Sequence, residues 1–130
     1  TQQNYGLTKI NDYFKIDKYF NHDSKKLPSF ALQVIKEFDP NKYSEIVKNE
    51  NVELINYRST NRFKIIDFFD LYTNEYLEPW IKDKIVIIGY LGENADHIPD
   101  IFDQNDSHNT PIGEIFGPVI IANQIQTLLN

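Results

Sequence analysis

The sequence predicts a single α/β domain in which helices flank a mixed, largely parallel sheet. Its 130 residues suit one domain of ordinary size. Hydrophobic residues make up 41% of the chain and aromatic residues 14%, which is enough to fill a core. Segments with helical periodicity alternate with short aliphatic runs, and the run at 84–89 has the continuous apolar character of a central parallel strand.

The first half of the chain predicts one strand and two helices. Phe14 and Ile16 alternate with charged residues, which favours a half-exposed strand near 13–20, and 21–26 has the composition of a loop. A helix near 28–38 follows, because its apolar residues recur at helical spacing. Asp39-Pro40 ends that helix and begins a shorter one, since Asp can cap a helix and Pro is tolerated at its first position.

The second half predicts two more strands and a final helix. The run 52–57 is apolar enough for a strand inside a sheet, whereas 65–72 favours an extended start followed by a short helix. At 84–89 four consecutive β-branched residues end at Gly89, which predicts a strand buried on both faces. A helix near 118–129 closes the chain. Three aromatic residues at near-helical spacing are expected to pack in the core: Tyr72, Tyr76 and Trp80.

Composition excludes several classes of function. Thirteen basic and 19 acidic residues give a net charge of −6, which argues against binding along a phosphate backbone. The absence of Cys removes disulfides, thiolate metal sites and cysteine nucleophiles. Met is also absent, so we expect a fragment of a longer protein. The longest apolar stretch, 85–91, is far below the ~18–20 residues of a membrane span, and any anchor is expected outside the fragment.

The strand-to-loop junction at Gly89 is the first place where chemistry is expected. Open α/β sheets bind ligands beyond the carboxyl ends of their strands. The segment lacks the third Gly of a dinucleotide fingerprint and is not followed by Gly-Lys-Ser/Thr. A glycine that only permits a tight exit from the strand is the simpler interpretation.

An acidic loop after Gly89 is the second candidate. His97, Asp100 and His108 are weak candidates for metal ligands, because imidazole and carboxylate groups together can hold a divalent ion. Their spacing matches neither a helix-borne His pair nor an EF-hand. We therefore favour a solvated acidic loop and expect no metal and no cofactor. Catalysis is not expected either, since no serine lies in a Gly-x-Ser-x-Gly elbow.

The order of several short motifs resembles the second half of a CHASE2 domain. Each motif alone is unspecific, and the resemblance depends on their order and on comparable gaps over residues 6–129. The motifs are Pro28-Ser29-Phe30-Ala31-Leu32-Gln33, Ile55-Asn56-Tyr57-Arg58, Lys82 to Tyr90, Thr110-Pro111, and Gly117 to Ile125. The chain departs from the family pattern in two ways. A family His in the last motif is replaced by Ile120 or Ile121. The family's amino-terminal half is missing, so we expect either a compact variant or an incomplete domain.

The resemblance implies a sensory module rather than an enzyme. CHASE2 domains are extracytoplasmic parts of bacterial membrane receptors, so we expect a periplasmic or cell-surface domain tethered to the inner membrane in the full-length protein. An unknown small molecule or protein would be the ligand, and displacement of the last helix would carry the signal toward the membrane. The candidate ligand-binding residues are Tyr57, Arg58, Gly89, Tyr90, His108, Thr110 and Asn123.

Two other functions stay open at this point. The chain could be a small α/β hydrolase or nucleotide-binding fragment that uses the Gly89 edge and the acidic loop. It could also be a structural domain that dimerises its parent, so a homodimer is possible. Nucleic acid is not expected as a partner under any of these interpretations.

Overall fold

A computed structural model describes residue 6, residue 10 and the ranges 12–73, 78–91 and 107–130. The strands are β1 (Lys15–Ile16), β2 (Tyr19–His22), β3 (Lys25–Pro28), β4 (Glu53–Leu54), β5 (Ser107–Thr110) and β6 (Gly113–Phe116). The helices are α1 (Phe30–Phe38), α2 (Pro40–Lys48), α3 (Phe68–Thr73), α4 (Glu78–Ile81) and α5 (Gly117–Leu129), with a 3₁₀ turn at Thr60–Arg62. No helix in these ranges is long and apolar enough to cross a membrane.

The described strands form three antiparallel pairs instead of one sheet. β1 pairs with β4, β2 with β3, and β5 with β6. The prediction of a largely parallel sheet is therefore wrong for this part of the chain. The predicted strand at 13–20 is divided into β1 and β2, and the predicted strand at 52–57 pairs only over β4. Two of the three pairs are local hairpins, which need no crossover.

The segment predicted as a loop at 21–26 is the tip of the β2–β3 hairpin. Its two turn residues, Asp23 and Ser24, have φ of 47° and 63°. Positive φ at both central positions is typical of the type I′ turn, whose twist matches that of the flanking strands. Asp and Ser replace the usual Asn-Gly, which explains why the sequence pattern did not indicate a hairpin.

The two helices predicted around Asp39 are confirmed. α1 begins at Phe30 because Pro28 still belongs to β3 and Ser29 caps the helix, accepting a hydrogen bond at Oγ from Leu32 N at 3.2 Å. Asp39 Oδ1 accepts from Lys42 N at 2.9 Å, and Pro40 opens α2 as predicted. Capping of this kind contributes about 1 kcal/mol to a helix.

α5 contributes to both hydrophobic clusters of the described residues. The larger cluster joins α1, α2 and β1 to Ile125 and Leu128 of α5, and the smaller one places Val119 and Ile120 of α5 against Ile115 of β6. The helix therefore runs through the interior of the domain. Its thirteen residues rise about 20 Å along its axis.

The run at 84–89 is where the prediction fails most clearly. It belongs to none of the strand pairs in the described ranges. Ile85 and Ile87 pack against the larger cluster, whereas Val86 and Ile88 are 55% and 85% exposed. The expected burial of both faces is wrong, because the described part of the chain covers one side of the run and leaves the other open.

The aromatic prediction also fails where it is described. Tyr72 in α3 and Trp80 in α4 are exposed. Lys64 Nζ lies 3.7 Å from the centroid of the Trp80 ring, a surface cation–π contact. Tyr76 lies outside the described residues. The short helix expected after an extended start near 65–72 is confirmed as α3.

Candidate functional site

Gly89 lies against the first turn of α5. A Cβ atom built on Gly89 would be 2.4 Å from Pro118 Cγ and 3.1 Å from Pro118 Cβ. Gly113 is the one described glycine with positive φ, so close approach, and not a left-handed turn, is what requires glycine at 89. The next residue, Tyr90, places its ring edge-on to Phe116 with centroids 5.9 Å apart. The end of the 84–89 run and the start of α5 are thus in direct contact.

His108 connects the amino-terminal segment to the same end of α5. Tyr13 Oη and His108 Nδ1 are 2.9 Å apart, and the ring centroids are 5.4 Å apart. With the proton of a neutral imidazole on Nε2, the phenol donates to Nδ1. Nε2 itself is 4.0 Å from the position that a Cβ on Gly117 would take. His108 therefore lies between Tyr13 and the beginning of the helix.

Tyr57 extends this hydrogen-bonded group. Its hydroxyl donates to the backbone oxygen of Tyr13 at 2.7 Å. Burial, followed by the charges of Tyr13 and Asp12, raises the pKa of Tyr57 to about 12. The phenol consequently remains a neutral donor across the physiological pH range.

Two side chains of α5 hold the segment that follows β4, and we call them the Asn123 clamp. Asn123 Oδ1 accepts from Arg58 N at 2.6 Å, while Nδ2 donates to Arg58 O at 3.1 Å and to Val119 O at 2.9 Å. One turn later, Thr127 Oγ1 accepts from Asn56 N at 3.0 Å and donates to Asn123 O at 2.7 Å. Asn123 is fully buried, so its amide replaces a strand partner for residue 58.

Thr110 has a local role in the β5–β6 hairpin. Its Oγ1 donates to Gly113 O at 2.7 Å and accepts from Ile112 N at 3.4 Å. Gly113 has φ of 104°, a conformation that a side chain rarely allows. These contacts fix the turn that positions β6 immediately before α5.

The seven candidate residues lie in four places. Gly89, Tyr90 and His108 meet at the start of α5, which we call the helix-start cluster together with Phe116, Gly117 and Pro118. Tyr57 reaches His108 through Tyr13. Arg58 is exposed and is held through its backbone by the buried Asn123, further along the helix, and Thr110 sits in the hairpin turn.

Three residues of the site were not predicted from the sequence: Tyr13, Pro118 and Thr127. Thr127 could have been found, because it follows Asn123 by four residues and so shares its helix face. Tyr13 and Pro118 gave no comparable signal, since their partners are distant in sequence.

No group of three or more His, Cys, Asp or Glu residues that could hold a metal occurs in the described ranges. His97 and Asp100 lie outside those ranges, as does the acidic loop between 92 and 106. His108, the third weak metal candidate, has a phenol as its hydrogen-bond partner. The described arrangement is suited to holding chain segments together.

Comparison with known proteins identifies the family. The family model for the CHASE2 domain matches residues 8–130. CHASE2 is a family of sensory domains found in signalling receptors, and it is not a catalytic family. No curated protein and no solved structure matches the chain. Because the match spans most of its length, the chain belongs to the CHASE2 domain family.

Proposed function

We propose that this chain is the extracytoplasmic ligand-sensing domain of a bacterial transmembrane receptor, and that α5 relays the signal toward the membrane. One observation carries the proposal: Gly89 is so close to Pro118 that a side chain of a single carbon would collide with the proline ring. The run that ends at Gly89 therefore cannot shift toward α5 without moving its first turn.

The input side of this relay is the surface around the helix-start cluster. A small molecule or a protein that contacts Tyr90 or His108 acts on residues that touch the start of α5. Such a ligand changes the domain only if it binds one arrangement better than the other. The ligand must therefore distinguish two positions of the 89–91 segment.

The output side is the remainder of α5. The Asn123 clamp ties the middle of the helix to residues 56 and 58, so a displaced first turn would shift the helix and this segment together. The α1 helix packs against α5. The exposed tip of the β2–β3 hairpin has no backbone hydrogen bond to α5 among the described residues. We expect the hairpin to be unaffected.

The location of the domain is tested by accessibility to a reagent that does not cross membranes. The chain lacks Cys, so Ser24→Cys at the exposed hairpin tip introduces its single thiol. In intact cells that express the full receptor with no other cysteine, a membrane-impermeant maleimide should label this thiol before lysis. Labelling that requires lysis would contradict an extracytoplasmic position.

The relay is tested by comparing two Gly→Ala variants. Gly89→Ala forces Pro118 to move, because 2.4 Å is shorter than any ordinary carbon contact, whereas Gly117→Ala leaves 4.0 Å to His108 Nε2. Overpacking of this kind costs about 1–3 kcal/mol. We expect Gly89→Ala to accelerate amide exchange throughout α5 and at residues 56–58, with Gly117→Ala resembling the parent chain. Equal exchange in the two variants would rule out mechanical coupling.

A further inference from the structure

The run from Ile85 to Gly89 exposes a backbone that has no hydrogen-bonded partner among the described residues. Neither the strand pairs nor the other backbone hydrogen bonds of the described ranges include it. Its side chains alternate, with Ile85 and Ile87 turned to the core and Val86 and Ile88 turned outward. We call residues 85–89 the open strand, because they have the alternation of a β-strand without a partner in the described ranges.

The chemistry of the open strand favours pairing. Four β-branched residues in succession have high strand propensity. Between Ile85 and Leu91 there is neither a charged residue nor a proline, although these are the residues by which natural proteins protect exposed edges. The nearest charges before the run are Lys82, Asp83 and Lys84, and the nearest after it is Glu93, two residues beyond Leu91.

The charges before the run decide the orientation in which a second copy can pair. We propose that the open strand pairs antiparallel with the open strand of a second copy of this chain, with each Ile87 opposite the other. In this register Val86 faces Ile88 of the partner subunit, and Lys84 faces the uncharged Tyr90 of the partner subunit. No like charges meet. A parallel pair in register would place Lys82, Asp83 and Lys84 opposite themselves, which is unfavourable.

The size of the contact sets the strength of the dimer. Stable interfaces bury roughly 1,200–2,000 Å², and a pair of five-residue strands buries less than that. The association is therefore weak, in the micromolar range or weaker, and exchanges rapidly. This inference does not depend on the proposed sensing function, although the open strand ends at Gly89 of the helix-start cluster, because the pairing needs no ligand and no movement of α5.

Sedimentation velocity of the 130-residue chain over a concentration series tests the proposal. The weight-average mass should rise above 15.3 kDa toward twice that value as the concentration reaches several hundred micromolar. Val86→Lys with Ile88→Lys should weaken the dimer at least about tenfold, since each introduced lysine would face another. Val52→Lys with Ile65→Lys is the matched control: it changes two exposed aliphatic residues, 68% and 49% exposed, that lie outside the strand pairs, and should leave the dimer intact.

Charge placement tests the register itself. The variant with Val86→Lys and Ile88→Glu should dimerise, because in the antiparallel register each introduced lysine faces the introduced glutamate of the partner subunit. In a parallel register the same variant would set lysine against lysine and glutamate against glutamate. Circular dichroism confirms that each variant is folded. A parent chain that stays monomeric at every concentration, a double-lysine variant that dimerises like the parent, or a lysine–glutamate variant that is as monomeric as the double-lysine variant would each overturn the proposal.

Discussion

Replacing Asn123 by Asp tests whether this side chain holds the segment after β4 to α5. The two side chains have the same shape, but Asp puts a second oxygen where Nδ2 now donates to Arg58 O and Val119 O. The hydrogen bond accepted from Arg58 N at 2.6 Å can survive. The other two are lost whenever the carboxyl group is ionised.

The cost follows from these contacts. Each lost hydrogen bond contributes about 1 kcal/mol, and a buried carboxylate that faces two carbonyl oxygens adds its unpaired charge. We therefore expect Asn123→Asp to lower the free energy of unfolding by at least about 3 kcal/mol at pH ~7.5. Urea unfolding followed by circular dichroism measures this, with Asn41→Asp as the control, because Asn41 is exposed in the first turn of α2, where a carboxylate is tolerated.

The pH dependence has a definite sign. Burial and the facing carbonyl oxygens raise the pKa of the new carboxyl in the folded state, so the folded protein binds the proton more tightly than the unfolded chain does. The loss relative to the parent should be smallest near pH ~4, where the protonated acid can donate one bond, and should grow as the pH rises. A loss no larger than that of Asn41→Asp, or one that is equal at the acidic and the neutral pH, would refute the role assigned to Asn123.

Three further predictions concern single side chains. Thr127→Val keeps the shape but removes the acceptor for Asn56 N, and should cost about 1 kcal/mol in urea unfolding. A smaller cost than about 0.3 kcal/mol would contradict this contact. Ser24→Gly should stabilise the hairpin by about 0.5 kcal/mol, because glycine adopts the φ of 63° without steric cost; a lower melting temperature would be inconsistent with a type I′ turn. Tyr57 should titrate near the pKa of about 12, measured as the difference in phenolate absorbance between the parent chain and Tyr57→Phe. The stability that Tyr57 contributes below pH ~10 should disappear as the pH rises toward that value. A midpoint near the ordinary tyrosine pKa of ~10 would contradict the burial of the phenol.

The helices were predictable because their signals are local. The periodicity of 28–38, the Asp39-Pro40 boundary and the helical pattern near 118–129 all lie within the elements that they define, and the structure confirms α1, α2 and α5. The strands were harder to predict, because pairing depends on distant residues. A continuous aliphatic run such as 84–89 is consistent with a central strand. Burial of Val86 and Ile88 would require a second layer formed by other segments, and the run itself carries no information about that layer.

The candidate site likewise contains residues that were predictable from local sequence and residues whose partners are distant in sequence. Gly89, Tyr90 and His108 were predicted to bind a ligand, and that role stays a prediction. The structure brings the three residues to one end of α5. The reason for glycine at 89 was not predictable, since it depends on Pro118, which is far along the chain. Tyr13 and His108 are 95 positions apart, and neither has a neighbouring motif that indicates the other. Asn123 was predicted as a ligand contact, and the structure places its amide against the backbone of residues 58 and 119.

Signalling output of the intact receptor tests the central claim most directly. The signalling output of the proposed receptor should be compared for Gly89→Ala, Gly117→Ala and Ile46→Val. Ile46→Val removes one buried methyl group from α2 and lowers stability by about 1 kcal/mol. We predict that Gly89→Ala changes the unstimulated output severalfold, while the two controls leave it unchanged. If Gly89→Ala has no more effect on output than the similarly destabilised Ile46→Val receptor, α5 does not carry the signal.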